Sequence, residues 1–390
     1  MRENNKVCYR TICEMRNRQF NILEIVAIIL VVCGHLGPIP GANITNQMMP
    51  IGGYHMALFI FISGYFFKDL KDIKQYPGYA WKKIKHLILP LLGWNIVYAG
   101  IASILCYTKI TDYFVSRGPY FTIEKLFISP FICGDQYLLN LAGWFVVCLF
   151  FTQMIYALIS LAKTKIPDWF LLIVLISLGF FGIAYFSKPY VRHFGYINLG
   201  RTLFALPFFH LGCCCKKYED VINKIPTWLY MIVCAIGIFV FYRYGCHMNR
   251  YVCAVVYTNF NGSWWKPFVS GFLGIMVWTR IALIIANYTK HSKIEDYVAE
   301  NTWCIMLHHL TVMFLISYIG VRCCSPCDSH MFRTDFWGLQ PCFSYWMYAI
   351  CMVTLPICFQ YIFDYTKGIT NRLLLRQRYS VLDREAYEKR

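Results

Sequence analysis

Apolar residues in this chain run in long blocks, separated by short polar or basic connectors. A helix needs about 20 mostly apolar residues to cross the hydrocarbon core of a bilayer. Ten blocks meet or approach that length: 20–37, 50–67, 87–106, 139–162, 168–187, 200–215, 227–244, 267–287, 302–321 and 345–364. The sixth is short and polar at its start. The first is too long and too firmly flanked to read as a cleaved signal peptide. No internal repeat or low-complexity linker divides the chain. The pattern predicts an all-α polytopic membrane protein, a single bundle of about ten transmembrane helices. Residues 1–19 then form a basic N-terminal segment, 20–364 the membrane domain and 365–390 a basic tail.

Composition sharpens this picture. Of the 390 residues 58% are hydrophobic and 15% charged, against about 45–50% and about 25% in soluble domains. That excludes an ordinary soluble fold, and a disordered chain, which is poor in apolar residues. Lys and Arg number 37 against 20 Asp and Glu. In a soluble protein the surplus would point to nucleic acid; here basic loops that orient membrane helices account for it, so no nucleic-acid partner is expected. The N-terminal segment and each alternate connector hold 25 of the 37 basic residues. Both termini are therefore expected in the cytoplasm, which an even number of spans satisfies.

Nineteen cysteines do not make a disulfide scaffold, a reading reserved for short secreted chains. Cys148, Cys234 and Cys351 lie inside apolar runs, where Cys acts as a small hydrophobe. Cys213, Cys214 and Cys215 close another such run before Lys216 and Lys217. Cys133, Cys246, Cys253, Cys323, Cys324, Cys327 and Cys342 fall in connectors expected outside, where disulfides persist. The Cys323-Cys324-x-x-Cys327 cluster lacks a clear second ligand pair for zinc, and no metal is expected.

Ionisable groups at membrane depth are costly and usually face a cavity or a partner. The first span carries Glu24 and His35, eleven residues apart and so on one helical face, with Asn21 within about 40° of it. Packing or snorkelling at the two ends is the plain alternative. The second span opens Gly52-Gly53-Tyr54-His55 and, running inward, sets His55 at about the depth of His35. His308 and His309 in the ninth span point about 100° apart, so one at most faces a given site. Arg201 starts the sixth span near the outer boundary, where snorkelling is equally open. Lys82, Lys83 and Lys85, beside Trp81 and His86 ahead of Pro90, read as an interfacial anchor or as partners for a phosphorylated cofactor.

In this order the segments resemble membrane-bound acyltransferase family three, in its fucose 4-O-acetylase-like branch. The matching pieces are the run ending at His35, His55 to Tyr65, the Lys-Ile-Lys-His stretch through Pro90, and Gly143-Trp144. Arg201 to Gly212 and Asn301 to His309 complete the set. The likeness spans nearly the whole chain and includes the ten-helix count. It implies transfer of an acyl group, usually acetyl from acetyl-CoA, to a hydroxyl of a cell-surface carbohydrate or lipid-linked glycan. It also implies a multi-pass protein of the plasma (inner) membrane, with the lipid bilayer as a partner and homo-oligomerisation left open. The family's essential first-helix His maps onto His35. Where the family usually has Arg or Lys, eleven residues earlier, this chain has Glu24, and Asn21 replaces the acid that often stands before it. Arg18 and Arg16 lie one to two turns nearer the cytoplasm as sources of the missing charge.

Moving an acyl group from a thioester to an alcohol requires a base, an oxyanion stabiliser and positive partners for the CoA phosphates. His35 is assigned as base or acyl relay, with His55 or Arg201 as orienting or oxyanion partner. Glu24, Asn21, Tyr54, Trp144 and His309 are assigned to the substrate pocket, and Arg18, Lys82, Lys83 and Lys85 to acetyl-CoA. These positions predict a polar channel between spans one, two, six and nine, with the acceptor arriving from outside. A transporter or flippase of a small solute fits ten polar-lined helices on physics alone, although such folds usually carry repeats. A silent glycan-binding relative is the third reading, motivated by Glu24.

Overall fold

In lipid, backbone N–H and C=O groups must be paired inside the segment that carries them, and long apolar blocks do this as helices. The computed structural model describes residues 2–42, 48–109, 119–132, 134, 136–163, 166–186, 196–246, 255, 263–323 and 343–388, with backbone alone for 2–17, 245–246 and 367–388. Among the described residues every regular element is helical. They are α1 (Arg2–Leu36), α2 (His55–Tyr65), α3 (Tyr76–Lys83), α4 (Leu89–Tyr107), α5 (Trp144–Lys163) and α6 (Asp168–Phe186). Then follow α7 (Tyr196–Lys217), α8 (Glu219–Lys224), α9 (Thr227–Phe241), α10 (Lys266–Tyr288), α11 (Lys293–Glu300), α12 (Thr302–Cys323) and α13 (Tyr345–Glu388). Helix α1 starts well before residue 20 because no Pro or Gly interrupts residues 2–19.

Among the described residues, eight helical segments are long and apolar enough to cross a membrane. The other two expected spans are helical but different in kind. Residues Ile51–Tyr65 form a shorter apolar helix, and α7 carries Asn198, Arg201, Thr202 and His210 fully buried. Both occupy the middle of the bundle: α7 packs on α2, α5 and α6, and α2 packs on α1, α7 and α10. Facing protein rather than lipid, neither needs the length or the uniform apolarity of an outer span.

The two central helices cross at glycines. A Cβ on Gly64 would lie 2.0 Å from the Phe209 carbonyl oxygen, and one on Gly212 would lie 2.1 Å from that of Phe61. Close backbone approach of this sort is the use of small residues between membrane helices.

At the opposite end of the first candidate span from His35, midway along α1, Arg18 closes the C-terminus of α10. Its Nε donates to Glu295 at 3.0 Å, Nη1 to the carbonyls of Ala286 and Thr289, and Nη2 to Thr289 Oγ1, the Lys290 carbonyl and Glu295. All five guanidinium donors are thus engaged. Asn21 joins the same corner by donating to Asp296 Oδ1 at 3.0 Å, as does His291 Nε2 at 2.8 Å. The His291 hydrogen bond holds the Asp296 carboxyl below the usual carboxylate range. Arg18→Ala leaves Glu295 and three carbonyls without their donor. The expected cost is about 3–5 kcal/mol, read as a lower unfolding midpoint in detergent, with Arg18→Lys restoring part of it.

Cys323 is an exposed free thiol; the side chains of the other six cysteines expected outside lie beyond the described residues.

Candidate active site

His35 occupies the last turn of α1. The helix ends just past it at Gly37, whose φ of +88° is the left-handed conformation that glycine supplies at a helix C-terminus. Tyr345, which opens α13, donates to the Cys33 carbonyl at 3.4 Å and fastens this end of α1.

His55 is placed by the turn before it. Ser270 Oγ on α10 donates to the Gly53 carbonyl at 3.0 Å. Tyr54 lies so close to α10 that a Cβ on Gly274 would stand 2.3 Å from its own. Thus clamped, His55 donates Nδ1–H to the Ile51 carbonyl at 2.8 Å. A carbonyl only accepts, so the neutral ring keeps its lone pair on Nε2.

His309 completes the group. It is fully buried on α12 and donates Nδ1–H to the Ile305 carbonyl at 2.9 Å. Its Nε2 has no hydrogen-bond partner among the described residues, and its ring centroid lies 5.0 Å from that of His35. His308 turns away, with Nδ1 2.7 Å from the Tyr98 hydroxyl and its ring edge-on to Trp94.

His35 and His55 line a cavity of about 180 Å³ together with Met56, Phe59, Trp144 and Met306. Among the described residues that line it there is no Asp, Glu, Lys or Arg. Spans one, two and nine contribute as expected; the fourth span, through Trp144 and Phe145, takes the place expected for the sixth. Arg201 does not line this cavity. It is buried behind the indole, with its guanidinium carbon 4.8 Å above the Trp144 ring and Nη1 donating to Asn198 Oδ1 at 2.9 Å and the Gly134 carbonyl at 3.2 Å. Snorkelling therefore does not describe it, because α7 is a central helix and Arg201 is 2% exposed.

The remaining candidates lie elsewhere. Tyr54 packs against α10, and Asn21 and Arg18 belong to the corner at the far end of the first candidate span. Glu24 is half-buried between the two ends of α1, with no hydrogen bond or ion pair among the described residues. Lys82 and Lys85 are exposed and Lys83 half-buried. The Lys83 and Lys85 ammonium groups sit over the rings of Tyr79 and Trp81 at 5.4 and 5.1 Å.

A second, larger cavity of about 690 Å³ is lined by Asp69, Ser160, Lys163, Asp168, Lys217 and Tyr218, among others. Lys163 pairs with Asp69, and Lys217 with Asp168. Trp144 and Lys163 are the two ends of α5, so the cavities are about 30 Å apart at 1.5 Å per residue. That is the thickness of the hydrocarbon core.

A cavity lined by two imidazoles, with a third packed against one of them, is suited to proton transfer on a reacting group. A family model described as an acyltransferase domain matches residues 17–365. The chain belongs to acyltransferase family three. No curated protein and no solved structure matches it. The match to the family three model begins one residue before Arg18 and ends one before Thr366, so it takes in both cavities and the candidate spans, the last of them but for its final residue.

In this chain the sequence pointed to His35, His55, Trp144 and His309; the fold sets the first three around one cavity and packs His309 against His35, with ring centroids 5.0 Å apart. Met306 and Phe59 were not foreseen. Met306 stands three residues before His309, a spacing that shares a helical face. The larger cavity went unforeseen because its walls come from a connector, the ends of three helices and residue 69, positions that no periodicity links.

Proposed function

We propose that this protein is an integral-membrane O-acyltransferase that moves acetyl from acetyl-CoA to a hydroxyl of a cell-surface carbohydrate or lipid-linked glycan. The observation that carries this reading is the cavity lined by His35 and His55, with His309 packed against His35, in a chain whose family transfers acyl groups. His35 takes the proton of the acceptor hydroxyl. The oxygen bonds to the thioester carbonyl carbon, the C–S bond breaks, and the sulfur leaves with the proton that His35 held. His309 Nε2 carries a lone pair and can receive the N–H of the His35 imidazolium, which orients that ring through the reaction. His55 supplies a second acceptor nitrogen, and the Trp144 face, backed by the Arg201 cation, gives the sugar a flat surface.

The protein sits in the plasma membrane with both termini in the cytoplasm, as the distribution of basic residues supports. The His35 cavity then lies toward the outer face and the 690 Å³ cavity toward the inner one. The donor's phosphates meet the lysines of the cytoplasmic end, Lys82, Lys83 and Lys85 among them. The acyl group crosses part of the bundle to reach His35.

Purified protein in nanodiscs, given radiolabelled acetyl-CoA and membrane glycan extract, is expected to release CoA and place the label in the glycan fraction. Absence of transfer from acetyl-CoA or any other short acyl-CoA, with uptake of a small solute into proteoliposomes instead, would replace this reading with a transporter.

A further inference from the structure

Near the 690 Å³ cavity, three side chains of different chemistry converge from two helices. His210 and Cys214 are four residues apart on α7 and so share a face, and Asp168 is the first residue of α6. Their ligand atoms, an imidazole nitrogen, a thiol sulfur and a carboxylate oxygen, all lie within 4.8 Å of one another. Cys214 Sγ is 3.4 Å from His210 Nε2. Two of the three, Asp168 and Cys214, line the cavity wall.

We propose that His210 Nε2, Cys214 Sγ and one oxygen of Asp168 bind a zinc-type divalent cation, with the fourth tetrahedral position open to the cavity. The donor set selects the metal class. Thiolate with imidazole is too soft for Mg²⁺ or Ca²⁺, whereas one sulfur, one nitrogen and one oxygen suit Zn²⁺. Three protein ligands and one open position form the arrangement in which zinc retains a water or takes an incoming donor.

The surroundings are built as such a site requires. The buried His210 has its other ring nitrogen, Nδ1, 2.7 Å from the buried Tyr156 hydroxyl. A hydroxyl both donates and accepts, so Tyr156 serves either tautomer of His210. Without metal, Nε2–H donates to the Asp168 carbonyl at 3.0 Å. With metal the proton resides on Nδ1, Tyr156 accepts it, and Nε2 turns its lone pair to the ion. Asp168 Oδ2 is held by Lys217 and by the Tyr218 hydroxyl at 2.9 Å, which leaves Oδ1 for the metal. On binding, the Cys214 thiol loses its proton to solvent. One thiolate and one carboxylate then balance the two charges of the ion.

Such a site would tie the first turn of α6 to the last turns of α7. It is separate from the histidine cluster at the other end of α5, and stands or falls independently of the transfer chemistry.

The test is cobalt substitution in full-length protein purified without a polyhistidine tag and stripped by chelator. One equivalent of Co²⁺ should produce a thiolate-to-cobalt absorption band in the near ultraviolet and tetrahedral bands in the visible, both abolished by one equivalent of Zn²⁺. The thiolate band should vanish in Cys214→Ser and persist in Cys213→Ser. Tyr156→Phe should weaken binding by about 10-fold. Absence of the band in the unaltered protein overturns the proposal whatever the variants do. So does a band that survives Cys214→Ser or that follows Cys213→Ser. Should Cys214→Ser fail to yield a monodisperse protein, His210→Gln takes its place: tetrahedral bands that persist at undiminished affinity overturn the assignment, and their loss supports it.

Discussion

Replacing His35 with alanine is expected to lower acyl transfer by about 10²–10⁴-fold, the range that a positioned general base contributes. The fold should survive. His35 lies in the last turn of α1, alanine is the best helix former, and that helix is anchored midway by Arg18 and at its C-terminal end by the Tyr345 contact. His309→Ala should cost less, because it removes the partner of the imidazole and not the base itself. His308→Ala, one residue away but facing Tyr98 and Trp94, should leave transfer nearly unchanged. The measurement is the initial rate of CoA release, with each variant matched for monodispersity. A His35→Ala rate within a few-fold of the unaltered protein would mean that the proton goes elsewhere. Equal losses in the His308 and His309 variants would mean that the histidines matter to packing alone.

A comparable loss, but of the protein itself, is expected from a single methyl group at the crossing of α2 and α7. At Gly64 and Gly212 the atoms that an added Cβ would strike are backbone oxygens and nitrogens of the facing helix, at 2.0 Å from Phe209 O, 2.1 Å from Phe61 O and 2.6 Å from Tyr65 N. Side chains can rotate aside; a hydrogen-bonded helix backbone cannot. The helices must part along their whole contact, and overpacking of this kind costs at least the ordinary 1–3 kcal/mol. Gly64→Ala and Gly212→Ala should therefore each give low yields of folded protein and a depressed unfolding midpoint. Gly93→Ala on α4, where nothing lies within 4 Å of the added carbon, should be neutral. Since α2 carries His55, any folded fraction of the crossing variants should also be slow in transfer. Normal stability in both would show that the two helices are further apart than described here.

Much of this architecture was legible because a bilayer leaves the backbone few choices. Apolar blocks become helices, and only the two central ones departed from the expected form, being shielded from lipid by their neighbours. The depth match between His35 and His55 followed from chain direction alone. The pairing of His35 with His309 did not. The two are separated by more than 270 residues, and neighbouring positions 308 and 309 diverge by about 100°. Only the seating of α12 beside α1 decides which ring turns inward. Arg201 was read as a boundary residue because its block starts there, whereas the fold encloses that boundary with Trp144, Asn198 and the backbone at Gly134. In the sequence Arg18 is a spare charge for a cofactor; in the fold it closes a helix that no local pattern brings near it.

If the donor is the acyl-CoA proposed above, that closure shapes how its phosphate-bearing carrier is held. With the guanidinium fork of Arg18 committed to α10 and Glu295, the cations nearest to α4 are ammonium groups on flexible stems. Such point charges attract an anion without the two-pronged grip that would fix it. A carrier recruited this way docks by long-range pull and departs easily once its cargo is gone, so exchange of spent for loaded carrier need not throttle turnover.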